Sequence, residues 1–507
     1  MSVLMGPVLG FRSGTDSKWC VSVLYVVSDD TQKRKLHVDD GTATWDVENP
    51  KILMSFQNKD VIRFDVDVGR ASDTAKTVRY FFHADAGKTF AFEVPMGKRA
   101  INMAYGSCNG FSDDKLANKI ADQNERWKHL AATHASKRYH LMLLGGDQVY
   151  SDAMWVKVDT LKEWLKLPAG TDPGERFDPA KLMEQRMHDE VETFYFNTYV
   201  ERWRQVEPAA VFASIPSLMI WDDHDIFDGW GSYPKDQQNC PVYDAIFKIA
   251  HRHFAVFQQQ IGPGESPAGA IAGQGFFNAY HQIGAIGILM LDMRSERTSE
   301  QVISEPTWNA IYAGLEKIEI GALKHLFVMS SIPVVHPDFG AVESVFGMLP
   351  GQQELEDDLR DHWHSRPHKI ERVRLIHRLF KFASEKSTRI TILSGDVHVA
   401  AVGVLESTRA DFGNGNASVI NQLTSSAIVH PAPTQLMALA LDFLSRAPEV
   451  VDRGIEATMV AFPGTSRRYV LARNWLGLEP DDVDDRIWAN WYVENEKSPY
   501  SKVIHPV

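Results

Sequence analysis

The sequence predicts an α/β core with buried sheets, preceded by a small antiparallel β domain. Three observations predict it. Residues 18–95 read as short runs of β-branched and aromatic residues broken by turns. Beyond residue 100, strand-like runs alternate with helical stretches. The chain of 507 residues also exceeds what one hydrophobic core usually organises.

In the first segment, strands are predicted at 20–27, 51–56, 61–68 and 78–94, with turn-like clusters at 39–41 and 86–88. This gives a sandwich-like β domain over 1–97 that carries no chemical motif. A catalytic core follows over 98–432. Its strands are predicted at 101–105, 140–144, 218–220, 285–291, 325–329 and 389–393, and its helices at 115–136, 181–206 and 370–384. Residues 337–368 are acidic, rich in histidine and without periodicity, and read as an insertion or lid. Residues 433–507 read as an extension packing on the core, with an apolar helix over 435–444 and a Trp-rich stretch at 487–492.

Composition narrows the function. An apolar fraction of 44% and a charged fraction of 23% are those of an ordinary globular protein. No run of about 18 apolar residues suggests a membrane span. The first 16 residues lack a basic segment followed by an apolar run, so the sequence as it stands reads as cytoplasmic, or as exported if a leader is missing. Cys20, Cys108 and Cys240 show no CxxC spacing, which disfavours a disulfide scaffold or a structural zinc site. A formal net charge of −13 argues against a nucleic-acid-binding surface. An enzyme of anionic substrates would then need positive charge supplied locally, and bound metal ions supply it most compactly.

The chemistry concentrates where strands end, the usual place for ligands in α/β sheets. Gly106-Ser107-Cys108-Asn109, Gly145-Gly146-Asp147-Gln148-Val149-Tyr150, Trp221-Asp222-Asp223-His224-Asp225, Asp292-Met293-Arg294 and Ser394-Gly395-Asp396-Val397-His398 all follow predicted strands. The two glycines before Asp147 let backbone approach a ligand. Asp147 with Tyr150 suits an acidic metal ion; a helix cap and a packing tyrosine explain them equally well. Three carboxylates and an imidazole within 222–225 repel one another unless cations compensate. Asp223 suits a hard cation, and His224 with Asp225 resembles a proton donor oriented by its carboxylate. Asp396 and His398 alternate onto one side of an extended segment. A lone buried cysteine is usually inert, so only its position favours Cys108 as a ligand. Asp292 and Arg294 either pair in a turn, or Arg294 clamps a phosphate through its planar fork.

Together these motifs resemble the alkaline phosphatase D (PhoD-like) group of metallophosphoesterases, in the family's order and over roughly residues 100–430. The resemblance implies a four-layer αββα metallophosphoesterase sandwich holding iron and calcium, or other divalent metals such as zinc, manganese or magnesium. It implies Asp147 as the carboxylate shared between metals, Tyr150 and Cys108 on the iron side, and Asp223, Asp396 and His398 completing the cluster. Asp222 becomes a ligand or a support, and His224 protonates the leaving group. The chain departs from wider metallophosphoesterases. These carry Asn where Asp223 stands, His where Asp396 stands, and Asp-x-His where Ser107-Cys108 stands. The position of a further family histidine holds Ser330-Ser331, with His336 nearby.

The expected reaction is hydrolysis of a small phosphate ester through in-line attack of a metal-bound hydroxide. The alternatives are a phosphodiesterase on the same centre, a metal-binding protein without turnover, and a two-metal hydrolase of another bond. The last is disfavoured because no His-x-His-x-Asp motif occurs.

Overall fold

The computed structural model describes residues 2–507 apart from 29–33, 72, 86, 98, 167–182, 272, 274, 337–362, 364, 365, 414 and 482. The expected insertion or lid at 337–368 therefore lies almost wholly outside the described residues.

The strands form three sheets. The first runs in the order β23 (Tyr500–Ile504), β22 (Ile487–Val493), β21 (Asn474–Pro480), β9 (Met103–Gly106), β10 (Leu141–Gly145), β11 (Ser217–Ile220), β1 (Ser2–Gly14), β2 (Lys18–Ser28), β6 (Lys59–Gly69) and β5 (Lys51–Phe56). The second runs β12 (Ala279–Ile283), β13 (Ile286–Met290), β14 (His325–Ser330), β15 (Arg389–Ser394), β17 (Val419–Ser425), β16 (Ala400–Ser407), β19 (Ile455–Val460) and β18 (Glu449–Asp452), and β20 (Tyr469–Val470) pairs with β16. A smaller third sheet holds β4 (Thr44–Glu48), β3 (Lys35–Asp39), β7 (Lys76–Phe82) and β8 (Phe90–Val94).

The strand period of two explains the four layers. Along β10, Leu141 and Leu143 face the core between the two large sheets, while Met142 and Leu144 face the core beneath the helices Glu125–Lys137 and Gln185–Trp203. Along β14, Phe327 and Met329 face the inter-sheet core. Leu326 and Val328 face the opposite helical layer, Glu305–Glu316 and Arg366–Lys386. Strands buried on both faces need unbroken apolar runs, and Leu141–Leu144 and Leu326–Met329 supply them. The αββα arrangement thus stands as expected.

The N-terminal strands are antiparallel to one another and divide between two sheets, β3, β4, β7 and β8 forming the third sheet and the others joining the first. β1 pairs in parallel with β11 and antiparallel with β2, so β1, β2, β6 and β5 extend the central sheet. The C-terminal segment likewise enters both sheets, β21 pairing with β9 and β19 with β16. The expected boundaries at residues 97 and 432 run through continuous sheets, because an apolar strand with free backbone groups is stabilised by pairing with a neighbouring edge. The run 78–94 is two strands rather than one, broken by a turn at His83–Asp85. The predicted helix at 115–136 divides into Asp114–Ala117 and Glu125–Lys137.

Candidate metal centre

β9, β10 and β11 run parallel in one sheet, and β13, β14, β15 and β17 run parallel in the other. The loops beyond their carboxyl ends meet across the two sheets. Cys108 N–H donates to Gly146 O (3.2 Å), Asn109 N–H to Asp147 O (2.7 Å), Ile428 N–H to Ser107 O (2.9 Å) and Gly395 N–H to Ser331 O (3.0 Å). Cys108, Asp147, Asp396 and His398 have φ of 56°, 53°, 69° and 52°. Such left-handed conformations cost L-residues energy and cluster at functional sites. Gly146, at φ 104°, is required for packing: an added Cβ would lie 2.8 Å from Asp222 Cβ. It lets the β10 loop pack closely against the β11 loop.

Carboxylate oxygens of Asp147, Asp222, Asp223 and Asp396 converge within 4.8 Å of one another, and all four residues are buried. Asp147 Oδ1, Asp222 Oδ2 and Asp223 Oδ1 accept no hydrogen bond. Burial and then the charge of Asp222 push the Asp147 carboxyl well above its ordinary range. Burial also raises Asp222, to about 7, against the lowering pull of Arg294. Buried like charges with unsatisfied oxygens are unfavourable without cations. The donor set therefore fits hard metal ions.

The remaining predicted ligands stand alongside. Cys108 Sγ lies 3.5 Å from Asp147 Oδ2 and 2.9 Å from Ser426 Oγ. Tyr150 Oη lies 3.3 Å from His398 Nε2. Burial pushes the Cys108 thiol well up and the His398 imidazole well down. Ser331, at the position where a family histidine is expected, donates its hydroxyl to Asp222 Oδ1 (2.9 Å). Among the described residues His336 is not part of the cluster.

Two expected roles need correction. Asp225 does not orient His224. Its carboxylate accepts the N–H groups of Asp147 (2.9 Å), Gln148 (3.0 Å), Val149 (3.2 Å) and Asp222 (3.0 Å), and the Gln258 amide (2.8 Å). It ties the β10 loop to the β11 loop. The partner of His224 is Asp152, whose Oδ2 lies 2.7 Å from Nδ1. Burial lowers the His224 pKa, but the charges of Asp152 and Asp223 outweigh it and raise the group well above its ordinary value. Arg294 is the second correction. It is wholly buried, hydrogen-bonded to Asp222 Oδ1 and to Trp230 O (2.9 Å), with Asp223 Oδ1 at 3.3 Å. It neutralises the acidic cluster from behind rather than clamping a phosphate. Nor does its side chain pair with Asp292, which accepts the Trp221 indole N–H (2.8 Å) and holds its own turn.

Sequence reasoning missed Asp152 and His430. Asp152 follows Tyr150 by two residues, and only that proximity hinted at it. His430 lies past β17, a strand that was not predicted; its ring stacks on His398 with centroids 3.7 Å apart and on Tyr150 at 5.7 Å. Tyr150 also stacks on His224, at 4.4 Å.

A family model described as PhoD related phosphatase matches residues 87–350 and 345–460. The chain belongs to the PhoD-related phosphatase family. Its match takes in all five motifs and stops short of β20–β23. An uncharacterized protein of Saccharomyces cerevisiae is 28% identical over 445 residues, 73% of this chain; the chain spans 62% of that relative's length. Among solved structures, that of PhoD aligns with a TM-score of 0.58 at 12% identity, covering 100% of this chain and 91% of PhoD. A purple acid phosphatase from yellow lupin (Lupinus luteus) seeds aligns at 0.51 and 10% identity, covering 98% and 74%. At those identities the likeness shows a shared fold. Among the described residues of this PhoD-related chain, no helix is long and apolar enough to cross a membrane.

Proposed function

We propose that the protein hydrolyses phosphate esters at this centre, as the family description of its matching model suggests. The observation that carries the reading is the buried cluster of Asp147, Asp222, Asp223 and Asp396 beside a histidine that has its own carboxylate partner. Asp147, Asp222, Asp223, Asp396 and His398, with Tyr150 and Cys108, hold the metal ions; iron and calcium are the proposed pair, with zinc, manganese or magnesium as other occupants. Bound metal ions supply activation of water and neutralise charge on the phosphoryl oxygens. His224, held at Nδ1 by Asp152 and stacked on Tyr150, presents Nε2 as proton donor to the leaving oxygen. Such assistance is worth about 10²–10⁴-fold. Arg294 offsets Asp222 and Asp223, so that the cluster folds before it is loaded.

A cleft of about 960 Å³ borders the centre at Asn109 and Tyr150 and is walled by Phe111 and Phe194. It leaves room for a second esterified group, which favours a phosphodiester as the second reading. Hydrolysis of p-nitrophenyl phosphate and bis-p-nitrophenyl phosphate, with iron and calcium supplied and then with chelator, tests both. Chelator-sensitive turnover is expected, and the faster substrate chooses between mono- and diesterase. No cleavage of either by metal-loaded protein would overturn the reading.

A further inference from the structure

The third sheet gathers His37, Asp46 and His83, one potential ligand atom from each lying within 4.8 Å of the others, and shares no residue with the carboxylate cluster. His37 and Asp46 are direct cross-strand partners in the register of β3 and β4, and His83 follows β7, which pairs with β3 on its other side. His37 Nδ1 lies 2.9 Å from Asp46 Oδ1, and His83 Nε2 lies 3.5 Å from the same oxygen. Bonds of about 2.0–2.1 Å to a tetrahedral zinc ion separate its ligand atoms by roughly 3.3 Å. Two strands, β3 and β4, and the short helical turn after β7 thus present the donors at close to coordination spacing. The Phe81 ring leans on both imidazoles, with centroids 4.7 Å from His37 and 5.2 Å from His83. The three side chains keep 30%, 36% and 36% exposure, so a cation has access from solvent.

We propose that His37, Asp46 and His83 form a second metal site, for a borderline transition-metal ion such as Zn²⁺, with water in the fourth position. Two imidazoles and one carboxylate select zinc, cobalt, nickel or copper over calcium and magnesium, whereas the oxygen-rich catalytic cluster does not. None of the three residues belongs to the proposed hydrolytic machinery, so the site stands or falls independently of turnover.

The test is titration of the metal-stripped full chain with Zn²⁺ against a chromophoric chelator. The wild type is expected to bind one equivalent more than the double variant His37→Ala/His83→Ala. Asp46→Asn, which keeps the shape of the side chain, is expected to weaken that equivalent by about tenfold or more. Phosphoesterase activity at fixed iron and calcium is expected to be unchanged in both variants. Equal zinc stoichiometry in wild type and double variant, with matching circular dichroism, would overturn the proposal.

Discussion

Asp152 Oδ2 and His224 Nδ1 stand 2.7 Å apart, with Asp228 N–H donating to the other Asp152 oxygen at 2.8 Å. The carboxylate is thereby fixed on both oxygens. It leaves Nε2 of His224 as the atom able to carry a proton toward a leaving group. Asp152→Asn is expected to reduce kcat by about 10–100-fold, within the range of general acid catalysis. The loss should be larger for phenyl phosphate than for p-nitrophenyl phosphate, whose leaving group needs less protonation. In a His224→Ala background the same substitution should add little. Equal losses for both leaving groups would remove His224 from the proton-donor role.

Asp147 is one of the four buried carboxylates of the acidic cluster, and Asp147→Asn removes a carboxyl group without changing shape. Turnover and metal loading should both be lost. In chelator, the variant should be at least as stable as the wild type, because like-charge repulsion is relieved. The melting temperature with and without metal measures this. The wild type should gain stability on loading, and the variant should not.

Arg294 compensates Asp222 and Asp223 from a fully buried position. Arg294→Met leaves two carboxylates without their counter-charge, and should cost about 3–5 kcal/mol in denaturant unfolding. A phosphate clamp would instead raise KM and leave stability intact.

Asp225 accepts N–H groups from both strand-end loops, and Asp225→Asn replaces one acceptor oxygen with a donor facing those N–H groups. The expected cost is about 2–3 kcal/mol, the scale of losing hydrogen bonds to a charged group. Metal affinity should fall as well, although Asp225 is not itself a ligand. Calorimetric metal titration and unfolding of the same preparation check both effects.

Glu265 gives a pH test remote from the centre. It accepts from Lys51 Nζ (2.8 Å), Arg63 Nη1 (2.8 Å) and Gly262 N–H (3.1 Å). Burial alone would raise its pKa, but those three donors outweigh it and hold the carboxyl down at about 2, against an ordinary 4.5. A depressed folded pKa contributes stability above the unfolded value, and that stability is lost as pH falls through the folded one. Glu265→Gln should therefore destabilise by about 1 kcal/mol at pH 7. The difference from wild type should shrink between pH 4.5 and 2. A difference independent of pH would mean that packing, not charge, sets the effect.

The alternation of strands and helices, the apolar runs of doubly buried strands and the acidic clusters behind them were all legible in the residues themselves. Each is a local property: side-chain period and backbone preference act over a few neighbours. Cys108, Asp147, Asp223, Asp396 and His398 stood out as candidates because each lies within a few residues of a strand end. The side-chain partners of His224 and Asp222 were not legible. Asp152 and His224 lie 72 residues apart, as do Asp222 and Arg294, and the adjacent Asp225 was the natural but mistaken choice for His224. His224 faces Asp152 because the β10 loop folds over the β11 loop, and Arg294 turns inward because a buried cation finds its lowest energy among buried carboxylates. The N-terminal strands show the same limit: β2, β5 and β6 were marked as strands by their composition, but β1, which was not predicted, joins them to the edge of β11. Local sequence determined the elements and the chemical groups; tertiary packing decided which groups face one another, because burial and charge pairing act through space rather than along the chain.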